Sequence, residues 1–209
     1  HCLPDTWHQM SVFLSAASCL DWAARLTGCA GVGDLLDRVA ALESGQDDLV
    51  FLPYLSGERT PHNDPDAQGV LLGLSHETGP AELGQAVLEG VAFAFADGQD
   101  ALLATGAEIG QVSVIGGGAR SALWGRIIAS VLGRPLTYHA AGDVGPAFGA
   151  ARLARLAVTG EAPADVCTPP PIDHVVEPDA ALARALAPRR ERFRRLYPLL
   201  KDEFARRTA

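Results

Sequence analysis

The sequence predicts an α/β domain, and three features carry that prediction. A short apolar strand, Gln111-Val112-Ser113-Val114-Ile115, runs into the glycines Gly116, Gly117 and Gly118 and is followed by a helix, a strand and a further helix. That order is typical of a sheet with helices layered on it. From Pro80 to about Thr105, the residues Leu83, Val87, Gly90, Val91, Ala94, Leu102 and Leu103 form one stripe at helical spacing, as in a helix buried in a core. The 209 residues are 48% hydrophobic and 20% charged, a balance that supplies a full-sized core.

Taken in chain order, residues 7–14 (Trp7 to Leu14) read as a strand. A helix is expected over 16–27, with Leu20, Ala23 and Ala24 on one face and Gly28 as its stop. A second helix is expected near 32–43. The apolar run 49–55 contains Pro53, which argues against a central strand, and a long polar loop follows from Ser56 to about Gln68. The long helix has Gly79 as its cap, Pro80 at its first position and Glu82 in its first turn, and Gly106 closes it. Gly90 and its alanine neighbours point to close packing against another backbone. After the glycine turn come a helix over 122–132, a strand over 135–139 and, from Gly142 onward, a helix ending near Gly160. The Pro-rich stretch 162–171 reads as a linker. From Pro188 a basic amphipathic helix carries Phe193, Leu196, Leu200 and Phe204 on one face, with Arg189, Arg190, Arg192, Arg194 and Arg195 around it.

The formal net charge of -8 argues against general nucleic-acid binding, because an acidic body repels a phosphate backbone. No apolar run approaches the roughly 20 residues that span a bilayer, and no signal segment opens the chain, so a cytoplasmic location is expected. The first residue is His1 and the only methionine is Met10, which suggests a piece of a larger protein. Cys2, Cys19, Cys29 and Cys167 are scattered without metal-ligand spacing and read as buried, inert thiols in a reducing compartment.

The glycine turn after the 111–115 strand is the leading candidate for chemistry. Open α/β sheets bind ligands beyond the carboxyl ends of their strands, glycines admit close backbone approach, and a helix N-terminus favours anions. The turn lacks the GxxxxGK[ST] spacing of a P-loop and the GxGxxG spacing of a dinucleotide fold. Alone, it is equally readable as a tight turn where no side chain fits.

The wider pattern adds to this reading. From Gly69 the chain runs Gly-Val-Leu-Leu-Gly-Leu, seven residues, then Glu-Leu-Gly-Gln-Ala-Val-Leu-Glu ending at Glu89. This resembles the second signature of the FGGY carbohydrate kinase family. The loop Pro53 to Pro65, the turn Ile115 to Ser121 with Trp124, the run Gly142 to Ala151 and the segment Arg190 to Tyr197 are similar to the xylulokinase subfamily. The resemblance covers almost the whole chain.

The resemblance implies a ribonuclease H-like/actin-like ATPase fold, here the family's C-terminal domain, incomplete at its N-terminal edge. Residues 1–160 would be most of the nucleotide-binding domain, and 161–209 the linker and a helix packed on it. Gly117, Gly118 and Ala119, with Ser121 and Ala122 nearby, would help hold ATP. Ala17 and Asp21 fall where relatives face the nucleotide; Ala17 stands where glycerol kinases carry glycine, and Asp21 is equally readable as an exposed helix carboxylate. The family's catalytic aspartate, in a Gly-Asp-Asn segment, and its Gly-Thr-Ser phosphate loop are absent from this sequence, so no catalytic residue is assigned. Glu58, Asp64 and Asp66 read as carboxylates of a solvated loop, and His62 as a loop-packing residue. The implied reaction transfers the γ-phosphoryl group of ATP, with Mg²⁺, to D-xylulose, and the chain alone is expected to be inactive. A homodimer is compatible with the family, and the missing first strand is expected to leave an exposed edge beside 7–14. The rival readings are a kinase for ribulose, gluconate or glycerol, or a non-catalytic actin-like module. The Gly69–Glu89 signature argues against the second rival.

Overall fold

The computed structural model describes residues 3, 5–42, 49–140, 142 and 145–206. Its axis is helix α3 (Pro80–Leu103), opened as the sequence predicts by Pro80 and by Glu82, whose Oε2 accepts the Gly79 N–H at 2.9 Å. Alanines and glycines interleave with Leu, Val and Phe along it, so burial extends well beyond one stripe. Around α3 pack α1 (Ser18–Leu26), α2 (Val32–Ala40), β1 (Val50–Leu52), α4 (Ala122–Leu132) and α7 (Ala180–Ala205). At Gly90 a Cβ would stand 2.3 Å from the Phe51 carbonyl oxygen, so the expected close backbone approach is present and only glycine fits. Trp124 of α4 reaches across and donates its Nε1–H to the Leu88 carbonyl at 3.1 Å.

Two small sheets flank this core. β1 pairs antiparallel with β2 (Val70–Leu72) and ends at Pro53. In the second sheet β3 (Val112–Val114) runs parallel to β4 (Leu136–His139), which pairs antiparallel with β5 (Ile172–Val176). The order β3-β4-β5 makes β3 an edge strand among the described residues. Ala129 of α4 with Leu136 and Tyr138 of β4 forms the small core beneath this sheet.

Several expectations need correction. Residues 7–14 are not a strand: the Val12 and Leu14 N–H groups are taken by the side chains of Thr60 and Glu58 rather than by a neighbouring backbone. The exposed edge expected there belongs instead to β3. The 56–68 loop is not simply solvated, because Glu58 is 1% exposed. The Pro-rich stretch holds a one-turn helix, α6 (Pro163–Val166), and leads into β5, a strand the sequence reading lacked. Helix α7 begins at Ala180, eight residues before Pro188, because Asp179 caps it through the N–H groups of Ala181 and Leu182 (2.8 and 3.0 Å). Both Pro188 and Pro198 then sit inside a helix held down by Leu186, Phe193, Leu196, Tyr197 and Phe204. Of the thiols, Cys19 is buried, with its pKa pushed up to about 12 chiefly by burial, but Cys29 is half-buried and Cys167 exposed. Cys2, Asp143, Val144 and the end of the expected 32–43 helix at Glu43 lie outside the described residues.

Candidate functional site

The sheet, α3 and the segment ahead of α1 enclose an open cleft of about 760 Å³. One wall is the extended segment carrying Ser11 and Phe13 and continuing to Ala16 and Ala17 at the start of α1. The facing wall is β3 and the glycine turn, and Phe95, Gly98, Gln99 and Leu102 of α3 form the floor. The turn is built from glycine for separate reasons. Gly116 has φ of 87°, in the left-handed region. At Gly118 a Cβ would lie 2.9 Å from Cζ3 of Trp124, so the indole seals the back of the turn. Gly117 needs neither reason, since a Cβ there would meet nothing within 4 Å. Its backbone faces open space, and a ligand can approach it closely.

Residues Gly117 to Arg120 form a single 3-10 turn, which ends at Ser121. Ser121 caps α4, its Oγ accepting the Trp124 N–H at 3.2 Å, and Ala122 is the first residue of that helix. The Gly116 N–H donates to the Gly142 carbonyl at 3.2 Å, so the second glycine-rich segment lies against the turn. Helix α5 (Gly145–Thr159) starts beside it, with Arg152 over the Phe148 ring at 4.2 Å.

Of the residues predicted for the site, Gly117, Gly118, Ala119 and Ala17 line the cleft together. Ser121 and Ala122 adjoin it through the turn, without lining it. Asp21 lies one turn along α1 from Ala17, exposed and outside the lining. Sequence reasoning missed Ser11, Phe13, Phe95 and Gln99, which sit far apart in the chain and meet only through the fold. Among the described residues no group of three His, Cys, Asp or Glu side chains is placed to hold a metal ion.

The loop that resembles the xylulokinase version of this region is anchored to α7 rather than free. His62 stacks on Tyr197, with ring centroids 3.5 Å apart, and its Nε2 lies 3.0 Å from the Tyr54 hydroxyl. Burial lowers the His62 pKa to about 4, so the ring is neutral at neutral pH. Tyr197 donates its hydroxyl to Asp64 Oδ2 at 2.8 Å. His62 is thus a packing residue, as the sequence suggested, and Asp64 is engaged in the fold.

Comparison with known proteins places this geometry. Residues 1–158 match the C-terminal domain of the FGGY family of carbohydrate kinases. The chain is 52% identical over 201 residues to a xylulose kinase of Escherichia coli K12, covering 96% of this chain and 42% of the relative. It is 34% identical over 185 residues to one from Streptomyces coelicolor, covering 85% and 36%. The crystal structure of a xyloylose kinase from Brucella ovis superposes with a TM-score of 0.88 at 45% identity, over 97% of this chain and 42% of that one. A gluconate kinase from Lactobacillus acidophilus, at 23% identity and TM-score 0.76 over 93% and 40%, shares the fold. The chain spans about two-fifths of the length of the E. coli relative. Its fold is the actin-like ATPase fold of these kinases, and the chain belongs to the FGGY family of carbohydrate kinases.

Proposed function

We propose that this chain is the nucleotide-binding, C-terminal part of a xylulose kinase, in which the γ-phosphoryl group of ATP passes to D-xylulose and gives D-xylulose 5-phosphate. The carrying observation is the open glycine turn: Gly117 presents bare backbone to a cleft whose opposite wall is Ala17, where the family resemblance puts the nucleotide. In this reading residues 1–160 are most of the nucleotide-binding domain, and 161–209 return over it. The backbones of Gly117, Gly118 and Ala119 approach the nucleotide, Ser121 and Ala122 set the start of α4 behind it, and Asp21 borders it from α1. The bond from the γ-phosphorus to ADP breaks and one to the sugar hydroxyl forms, while the hydroxyl proton goes to the aspartate that the family carries outside this sequence. Mg²⁺ would neutralise phosphate charge in such a reaction. The 52% identity to a xylulose kinase favours xylulose over ribulose, gluconate or glycerol. A cytoplasmic, homodimeric enzyme fits the reading; no described helix is long and apolar enough to cross a membrane.

A coupled ADP-release assay on the full-length protein with xylulose, ribulose, gluconate and glycerol, run beside this chain alone, tests the proposal. Turnover of the full-length protein on xylulose with a silent chain is expected, because phosphoryl transfer depends on positioning and half a cleft positions little. A full-length protein silent on every sugar overturns the kinase reading.

A further inference from the structure

We propose that Glu58 and Thr60 are positioning residues for the nucleotide cleft, holding the segment 11–17 so that its wall stands opposite the glycine turn. This rests on the nucleotide reading of that cleft. Residues 12–14 belong to no strand, and two side chains take their N–H groups. Thr60 Oγ1 accepts the Val12 N–H at 2.9 Å while the Thr60 N–H donates to the Val12 carbonyl at 3.0 Å. Glu58 Oε1 accepts the Leu14 N–H at 3.3 Å and the Arg59 N–H at 2.7 Å. The held groups, on Val12 and Leu14, flank Phe13, which lines the cleft. There its ring enters the cleft wall, edge-on to Phe95 with centroids 5.1 Å apart, and a Cβ at Gly98 would lie 2.2 Å from it. Ser11 Oγ fastens the near end by donating to the Gly98 carbonyl at 2.8 Å. The segment then delivers Ala17 to the cleft.

The clamp stands on a rigid base. Glu58 and Asp64 exchange backbone hydrogen bonds of 2.9 and 2.8 Å, and Asp64 is tied to Tyr197 of α7. A carboxylate placed this deep is expensive, and Glu58 Oε2 has no hydrogen-bond partner among the described residues. Burial accordingly pushes its pKa up, while backbone N–H groups of Arg59, Leu14 and Thr60 pull it back. Packing alone calls for no polar group at this place; a side-chain oxygen that holds backbone donors from two segments does.

The test uses the full-length protein and the variants Thr60→Val, Thr60→Ser and Glu58→Gln. Thr60→Val keeps the shape and removes the acceptor for Val12. It is expected to speed amide exchange at Val12 and Leu14 and to raise the ATP KM about fivefold, the effect of one lost hydrogen bond. The sugar KM and kcat should stay within about twofold of wild type. Thr60→Ser, which retains the acceptor, should restore the ATP KM, and Glu58→Gln should raise it less than Thr60→Val. Unchanged binding of a fluorescent ATP analogue by Thr60→Val, or losses in every parameter that track the folded fraction, would overturn the positioning role alone. A wild-type protein that binds no such analogue would overturn the nucleotide reading and this proposal with it.

Discussion

At the scale of single residues, adjacent glycines in one turn have different duties, and substitution separates them. Gly118→Val drives a side chain into Trp124, whose indole is held by its bond to Leu88 and cannot retreat freely. Overpacking of this kind costs about 1–3 kcal/mol, so the denaturation midpoint should fall. Gly117→Val meets no protein atom and should leave stability within about 0.5 kcal/mol. It should nevertheless weaken nucleotide binding about tenfold, equivalent to about 1.4 kcal/mol. Chemical denaturation and titration with a fluorescent ATP analogue check both. The glycines themselves were legible in the sequence, but which one faces the ligand was not, because that depends on where Trp124 lies.

At the scale of elements, α3 and α7 are joined by ion pairs from the arginines that the sequence presented as the basic side of an amphipathic helix. Arg189 of α7 grips Glu89 of α3 with bonds of 2.7 and 2.9 Å, and Glu89 is 3% exposed. Arg190 and Arg194 reach Asp100 at 2.8 and 3.3 Å, and Arg194 lies 3.0 Å from Asp97. Arg189→Ala should cost about 3–5 kcal/mol, because it strands a buried carboxylate. Replacing both partners, as Arg189→Met with Glu89→Met, should recover most of that loss, since two apolar chains leave no unpaired charge. Urea unfolding of the single and double variants decides this; equal losses in both would show that shape rather than charge ties the helices. Helix α4 was legible over 122–132, and the structure adds the Ser121 cap and the left-handed Gly133 that bound it. Helix α7 was not, since Pro188 reads as a boundary and only the cap at Asp179 and the packing of Leu186 carry the helix through it.

At the scale of the whole molecule, the second sheet has unsatisfied neighbours. β3 is an edge among the described residues, and Ile115 at its end is exposed. Helix α5 buries none of its side chains, despite Phe148, Leu153 and Val158. An open edge beside apolar surface invites pairing with another chain. The chain alone should therefore associate increasingly with concentration in light scattering, and Ser113→Lys on β3 should reduce that association more than Ala40→Lys at an exposed position of α2. A monomer at every concentration would refute this. Sequence placed the free edge at 7–14, because Trp7 to Leu14 has the composition of a strand. The structure makes that segment no strand and leaves β3 an edge: the Val12 and Leu14 N–H groups go to the side chains of Thr60 and Glu58, 48 and 44 residues away.

By itself the sequence determined the order of the elements from Gly79 to Gly160, the glycine turn and the family. Those rest on local signals: helical periodicity, caps and turn residues adjacent in the chain, and motifs read in order. Only the tertiary structure decided that the polar loop after Pro53 buries Glu58 against Leu14, that the basic helix is paired with α3, and that Phe13 and Phe95 line one cleft with Ala17. Each of these depends on groups brought together across tens of residues, and burial then changes what a carboxylate or an arginine costs and what it can hold.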